Sequence, residues 1–399
     1  MSNFYSKIIK DYGESFYLLD SKQFETNFFE LKKEFISIYE NFNIAYSYKT
    51  NYIPKLCRII NNCGGYAEVV SEMELELALK LGIEYSKIIW NGPIKNTEYL
   101  KKYINTGILI NIDNIEELNF IKNIVKNSKE TQLRLGLRCN YDVCDDVISR
   151  FGFDVEGEDF KEAILFLKEN DIKLTSLQCH FAKRDIKYWN NKVEGLIKTI
   201  DRYKLNPEII DVGGGLYGKM HNDLKKQFNS EIPSYLDYAK VIASIVNDYY
   251  YDKDNKPLLL IEPGSALVGD CMKFISTIKS IKKIRGKYYA ATLGSQKNIS
   301  MTSVNPPINI IHMGGEKKEY KNLDFVGFTC IESDVLYRNY SGDLAIGDLL
   351  EISNCGSYSV VMKPPFILPN FPIVDISNNN IELIKRAETF EDIFNTYIM

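Results

Sequence analysis

Between residues 43 and 262 the apolar positions alternate between two rhythms. Short runs dense in branched and aromatic side chains occur at 43–49, 65–70, 86–91, 106–111, 131–139, 173–180, 208–212 and 257–262. Such runs read as strands of a buried parallel sheet. Between them lie segments whose apolar residues share one helical face, at 114–127, 157–169, 187–202 and 233–249. Pro54 opens another such pattern, with Leu56, Ile59 and Ile60 behind it. Ser71-Glu72-Met73-Glu74 reads as a capping box that starts a helix, and Gly82 closes it. Eight strand–helix units in a row predict an α/β fold, a (β/α)8 barrel over 31–265. An open doubly wound sheet is the alternative.

After Gly264 the rhythm changes. Strand-like pieces follow at 271–281, 287–293, 307–312, 325–329, 347–353 and 356–362, without long helical patterns. Turn residues separate them, among them Asn305-Pro306-Pro307 and Gly314-Gly315. This predicts a second, all-β domain over 266–399. Residues 1–30 join it, because Ser15–Leu19 reads as a strand that precedes the barrel and needs a partner.

The chain has 399 residues, 45% of them hydrophobic, which is enough for a barrel plus an appended domain. A net charge of −4 implies no general affinity for nucleic acid or an anionic membrane. No apolar run reaches the roughly 18 residues of a membrane helix, and Met1 to Asp20 carry charges throughout. Eight scattered cysteines without a Cys-x-x-Cys pair, beside three histidines, speak against a metal site or a disulfide framework. A soluble cytoplasmic protein that acts on a small molecule is expected.

In a barrel the polar residues at the carboxyl ends of the strands converge. Here they are Lys49, Glu68, Asn91, Asp113, Arg138, His180, Gly213-Gly214-Gly215 and Glu262. A lysine in that place is a candidate for imine chemistry, since desolvation favours its neutral amine. Glycines after the seventh strand let backbone N–H groups approach a phosphate. Glu262 ends four apolar residues, where a carboxylate needs a proton or a cation as partner. An imine lysine, a phosphate loop and a carboxylate for a ring nitrogen together point to pyridoxal 5'-phosphate.

Seven motifs stand in order along the chain. They are Tyr48-Lys49-Thr50-Asn51, Glu68-Val69-Val70-Ser71, Arg150-Phe151-Gly152, Asp211-Val212-Gly213-Gly214-Gly215, Glu262-Pro263-Gly264, Cys330 with Asp334, and Gly356-Ser357-Tyr358. The series resembles the alanine-racemase-like pyridoxal-phosphate enzymes, and within them the diaminopimelate/ornithine/arginine decarboxylase group. The resemblance implies that Lys49 is the internal-aldimine lysine and that His180 stacks on the cofactor ring. It implies that Gly213, Gly214, Gly215 and Gly264 belong to the phosphate-binding segments and that Glu262 pairs with the ring nitrogen. Glu68, where relatives often carry aspartate, joins the cofactor set. Cys330 resembles a cysteine donated by the partner subunit of a homodimer, with Glu332 and Asp334 near the substrate and Tyr358 near phosphate or substrate.

A decarboxylase of an amino acid or an amino-acid conjugate is therefore expected, working as a homodimer with shared sites. A glutamate on the ring nitrogen favours decarboxylation over racemisation, because racemases of this fold place an arginine there. A racemase or epimerase is one alternative; a non-catalytic, cofactor-binding regulatory homologue is another. Three positions depart from the family pattern. Ser265 replaces an arginine, His180-Phe181-Ala182-Lys183 replaces His-x-Gly-Ser, and Ile331 stands where an acidic residue follows the cysteine. Lys183 and Arg184 read as a solvated basic turn, as a lysine that replaces the lost phosphate contacts, or as a pair that holds an anionic group of the substrate.

Overall fold

The computed structural model describes residues 2–126, 133–299, 305–377 and 380–398. Its packing separates two units, Glu25–Tyr217 with Ile232–Ala266, and Met1–Phe24 with Gly218–Glu231 and Leu267–Met399. The 218–231 excursion, which the sequence pattern left inside the barrel, packs with the second of these. His221 N–H donates to Asn354 Oδ1 there, and Gln227 Nε2 donates to the Asn305 carbonyl.

The first unit is a closed parallel barrel. Its strands are Phe42–Ser47, Tyr66–Val69, Ile88–Trp90, Leu109–Ile112, Arg134–Asn140, Leu174–Cys179, Ile209–Asp211 and Leu258–Ile261. Each pairs with the next, and the eighth pairs with the first through Leu259↔Phe42. All eight predicted strands are present; residues 131–132 of one of them lie outside the described residues. The helices Ile115–Lys126, Glu158–Glu169, Trp189–Tyr203 and Tyr235–Tyr250 match the predicted amphipathic segments, with residue 127 outside the described residues.

Two local details differ from expectation. The strand before Lys49 ends at Ser47, and Tyr48–Thr50 form a single 3-10 turn that carries the lysine. The helix Glu72–Lys80 has half a capping box. Ser71 Oγ accepts from Glu74 N–H, but the Glu74 carboxylate reaches one residue further back, to Val70 N–H at 2.8 Å.

Among the described residues the second unit is built on a nine-stranded mixed sheet. Ser15–Leu19 lies between Met272–Ile284, antiparallel, and Ile373–Asp375, parallel, so the N-terminal strand has the partner it was expected to need. Phe16, Leu18, Ile275, Leu349 and Val374 close its core against Tyr5 and Ile8 of the Ser2–Tyr12 helix.

The strand prediction is poorer in this unit. The stretch 325–329 catches only the end of Lys318–Val326, and Val335–Leu344 was not foreseen. Both pair with bulges around left-handed Asn322 and Asn339, and both expose many polar residues, which blurs a period of two. The predicted strand 356–362 is absent. Tyr358 is left-handed there (φ 61°), and Met362 N–H returns to its carbonyl at 3.2 Å. Pro364 and Pro365 then end the segment.

Candidate active site

Side chains two apart on a strand share a face, so the barrel interior is built in layers. The lowest layer is apolar: Ala45, Ile89, Leu109, Ile209 and Leu260 pack together, with Tyr66 against them. Two residues further along the same strands stand Ser47, Asn91, Asn111, Asp211, Glu262 and Glu68. All six are buried. Sequence reasoning saw the ends of these strands but not a continuous polar layer.

The contacts within that layer are specific. Lys49 Nζ donates to Glu68 Oε2 at 2.7 Å, and Ser47 Oγ donates to the same oxygen at 2.5 Å. Asn91 Nδ2 donates both to Glu68 Oε1 (3.1 Å) and to Glu262 Oε1 (2.5 Å), tying the two carboxylates together. Asn111 Nδ2 donates to Asn91 Oδ1 at 2.7 Å and so fixes the amide in the orientation that serves them. Gln178 Nε2 approaches the two Glu262 oxygens at 3.3 and 3.5 Å. The fifth strand contributes Gly136, where a Cβ would collide with Asn111 Oδ1 and stand 2.8 Å from Ser176 Cβ. Asn91 was seen at a strand end but given no role; Asn111 and Gln178 carried no signal beyond a polar residue within an apolar run.

Electrostatics follows from burial. Burial draws the Glu68 pKa upward, but Lys49, Ser47 and Asn91 hold it below the ordinary carboxylate range. Glu262 is pushed up, first by burial and then by the Glu68 charge, with Lys49 opposing. His180 lies well below the usual imidazole range, from burial and from Lys49, Arg138, Lys192 and Arg184 around it. Its Nδ1 accepts the Gly214 N–H at 3.0 Å, so the ring is neutral and carries its proton on Nε2.

Gly213 and Gly214 have no room for side chains. Gly213 is left-handed (φ 72°), and a Cβ on Gly214 would strike the Glu262 carbonyl. Gly215 is also left-handed (φ 96°); a Cβ there would lie 3.9 Å from the Lys183 carbonyl and 4.0 Å from Arg184 Cγ. Arg184 lies over the Tyr217 ring at 5.7 Å, and Lys183 is exposed. A Cβ on Gly264 would run into the Thr50 side chain, which lets the end of the eighth strand close on the turn that carries Lys49. Arg138 pairs with Asp113 at 3.0 Å and lies 4.7 Å from the Phe151 ring.

Lys49, Glu68, His180, Gly213–Gly215, Glu262 and Gly264 are thus brought together by the barrel. Cys330, Glu332, Asp334 and Tyr358 belong to the other unit. Cys330 and Glu332 are exposed there. Asp334 is buried, and its carboxylate joins its own loop to the segment at 295–296. It accepts from Ser295 Oγ (3.0 Å), Gln296 N–H (2.7 Å) and Thr329 Oγ1 (2.6 Å). These bonds tie the loop that carries Cys330 to residues 295 and 296. Tyr358 holds a left-handed backbone beside Gly356, whose missing Cβ leaves room for the Val268 carbonyl.

The barrel residues fit pyridoxal phosphate. They offer a primary amine at a strand end, a tightly packed glycine run at the end of the seventh strand, a neutral imidazole and a buried carboxylate. Among the described residues no cluster of His, Cys, Asp and Glu is arranged to hold a metal, and no helix is long and apolar enough to cross a membrane.

A closed barrel with this equipment defines a class, the pyridoxal-phosphate enzymes of the (β/α)8 type. Residues 22–269 match the family described as pyridoxal-dependent decarboxylase, pyridoxal binding domain. The match spans more than half of the chain, and the chain belongs to that family. It is 25% identical to the diaminopimelate decarboxylase of Methanocaldococcus jannaschii, over 97% of this chain and 92% of the relative. The Bacillus subtilis diaminopimelate decarboxylase is likewise 25% identical, over 97% and 92%. Among solved structures, the M. jannaschii diaminopimelate decarboxylase superposes with a TM-score of 0.85 at 23% identity, covering 98% of this chain and 94% of that one. The Helicobacter pylori diaminopimelate decarboxylase complexed with L-lysine gives 0.83 at 20% identity, covering 98% of both. The protein is a pyridoxal-phosphate-dependent carboxy-lyase, and its substrate is a small molecule of the amino-acid type.

Proposed function

We propose that this decarboxylase acts on an amino acid with a second charged end, with diaminopimelate as the first candidate, and works as a cytoplasmic homodimer. The names of its relatives support the substrate. Eight free cysteines support a reducing compartment. The observation that carries the assignment of residues is the hydrogen-bonded chain that runs from half-buried Lys49 through buried Glu68 and Asn91 to Glu262.

Lys49 is the residue that would hold the cofactor. Glu68 keeps the amine aimed from the strand end and balances its charge. Gly213 and Gly214 already give their N–H groups to Asp211 Oδ1 and His180 Nδ1, so of the glycine run the Gly215 N–H would be the one to receive the phosphate, as an oriented dipole does for an anion. Arg184, beside Gly215 and over Tyr217, would serve that phosphate rather than a substrate carboxylate. It would supply the cation that Ser265 lacks. His180, neutral and fixed by Gly214, would offer a flat face to the ring without adding charge to it. Glu262, held by two amides, would keep a proton on the ring nitrogen.

When bound, the cofactor supplies a sink for the electron pair left as carbon dioxide departs. The chain's own task is then to deliver a proton to the carbon that lost its carboxylate. Cys330, exposed on a loop that Asp334 organises, would serve in the partner's site as that donor. A glutamate rather than an arginine at position 262 speaks against racemisation. The intact polar layer speaks against a non-catalytic homologue.

The test is direct. Borohydride reduction of the holoenzyme and peptide mapping should place the label on Lys49. Carbon dioxide release should be measured across a panel that includes meso-diaminopimelate, lysine, ornithine, arginine and acidic conjugates. A label elsewhere removes the Lys49 assignment. Release from lysine, ornithine or arginine in preference to diaminopimelate removes the substrate assignment.

A further inference from the structure

The Asp211 carboxyl is buried on the seventh strand, next to the strand that ends in Glu262. One of its oxygens, Oδ1, accepts the Gly213 N–H at 2.9 Å. The other, Oδ2, is buried and receives no donor from any described residue. Asp211 and Glu262 stand side by side in the buried polar layer, on adjacent strands and each two residues beyond the apolar layer, which brings their carboxyl groups within hydrogen-bonding reach. Two carboxylate oxygens so placed repel each other unless a proton lies between them, and in a buried site the pair cannot carry two charges.

We propose that Asp211 is a positioning residue that stays protonated at neutral pH, donating its O–H to Glu262 while it accepts from Gly213. One buried acid thereby ties the first residue of the glycine run to the carboxylate at the other end of the site. The Asp211 proton fills one Glu262 lone pair, and Asn91 and Gln178 fill others. The single negative charge of the pair stays on Glu262. The use of that charge for a ring nitrogen rests on the reading above; the shared proton does not.

The charged groups around the pair agree. Glu68, on the second strand, adds a negative charge that keeps the proton on Asp211. Lys49, after the first strand, and Arg138, on the fifth, favour the charge on Glu262. His180, beyond the sixth strand, is neutral and bonded to the glycine run. Burial and the neighbouring Glu262 push Asp211 well above the usual carboxylate range.

The sign of the pH dependence is then fixed. In the unfolded chain Asp211 loses its proton near its ordinary value of 3.8; in the native protein it keeps it. The native state binds one more proton, so this site's stabilising contribution falls as pH rises above that value. Asp211→Asn is the isosteric copy of the protonated acid. Its amide donates to Glu262, its carbonyl accepts from Gly213, and it has nothing to ionise.

The experiment uses the full-length holoenzyme. Wild type, Asp211→Asn and Asp211→Ala are melted between pH 5.5 and 8.5, and the absorbance of bound cofactor is recorded across the same range. Asp211→Asn should melt at or above wild type at pH 8.5. Its advantage should grow with pH, the unfolding constants separating by up to about tenfold per pH unit. Its cofactor spectrum should overlay that of wild type, whereas Asp211→Ala should melt lower than both. A constant difference between Asn and wild type, or an Asn variant that loses stability as pH rises, overturns the shared proton. If the alanine variant does not fold, the comparison of Asn with wild type still decides. Turnover of Glu262→Gln tests the ring-nitrogen reading separately, so the two can fail apart.

Discussion

Replacing Glu262 with glutamine removes one charge from the barrel interior and little else. The side chain keeps its length, and its carbonyl can still accept from Asn91, now 2.5 Å away. What disappears is the anion that Lys49 and Arg138 favour and that two amides and Asp211 surround. If this anion keeps a proton on the ring nitrogen, its loss weakens the electron sink mainly in the transition state. A preorganised contact of that kind is worth about 3 kcal/mol, roughly a hundredfold to a thousandfold in kcat. Cofactor occupancy should change far less, because Lys49, the glycine run and Arg184 are untouched. Stability should also hold, since the substitution relieves the repulsion between Glu262 and Glu68 while it forfeits charge-assisted hydrogen bonds. The assay is carbon dioxide release at saturating substrate, with bound cofactor quantified by absorbance in the same sample. A kcat within about threefold of wild type at full occupancy would refute the role, because an effect that small leaves no room for a preorganised charge.

Three further outcomes follow from the same geometry. Mixing Lys49→Ala with Cys330→Ala chains should restore up to about a quarter of wild-type activity, since half of randomly mixed dimers are hybrid and each holds one intact site; no recovery after verified exchange counts against Cys330 acting in trans. Glu74 is buried beneath its bond to Val70, and burial raises it from 4.5 to about 7. Its stabilising contribution is therefore complete below pH 4.5 and lost as pH rises through 7, so Glu74→Gln should raise the unfolding free energy at pH 8, by up to about 3 kcal/mol, and not at pH 4, as denaturant melts at the two pH values would show. The double variant Lys183→Ala/Arg184→Ala should lower cofactor affinity and reduce kcat/KM to the same extent on acidic and simple diamino acids; a selective loss on acidic substrates, about 1–3 kcal/mol, would return the pair to the substrate.

The barrel was legible because each of its strands is covered on both faces and reads as an apolar run closed by a polar residue. The second unit was less so, for a physical reason. Lys318–Val326 and Val335–Leu344 pair through bulges and expose lysine, glutamate and asparagine, so hydrophobicity says little about them. The opposite error occurred at 356–362. Tyr358, Val360, Val361 and Met362 supply strand-forming side chains, yet the backbone turns at a left-handed tyrosine. That conformation is costly for an aromatic residue and persists only where its surroundings enforce it.

The site was legible as a set of strand ends but not as a network. Each polar residue of the inner layer follows an apolar one by two positions on its own strand, as Asn91 follows Ile89 and Asp211 follows Ile209. Read along one strand, such a residue is a single interruption of a core pattern. The network exists only across strands, where Asn111 orients Asn91 and Asn91 joins Glu68 to Glu262. Gly136 belongs to it as well, by leaving the space that Asn111 fills. The charge on Glu262 is therefore set by side chains on six of the eight strands rather than by its own segment, Leu258 to Glu262. It follows that positions with no reach to a ligand, Asn111 and Gly136 among them, constrain the chemistry through the orientation of one amide.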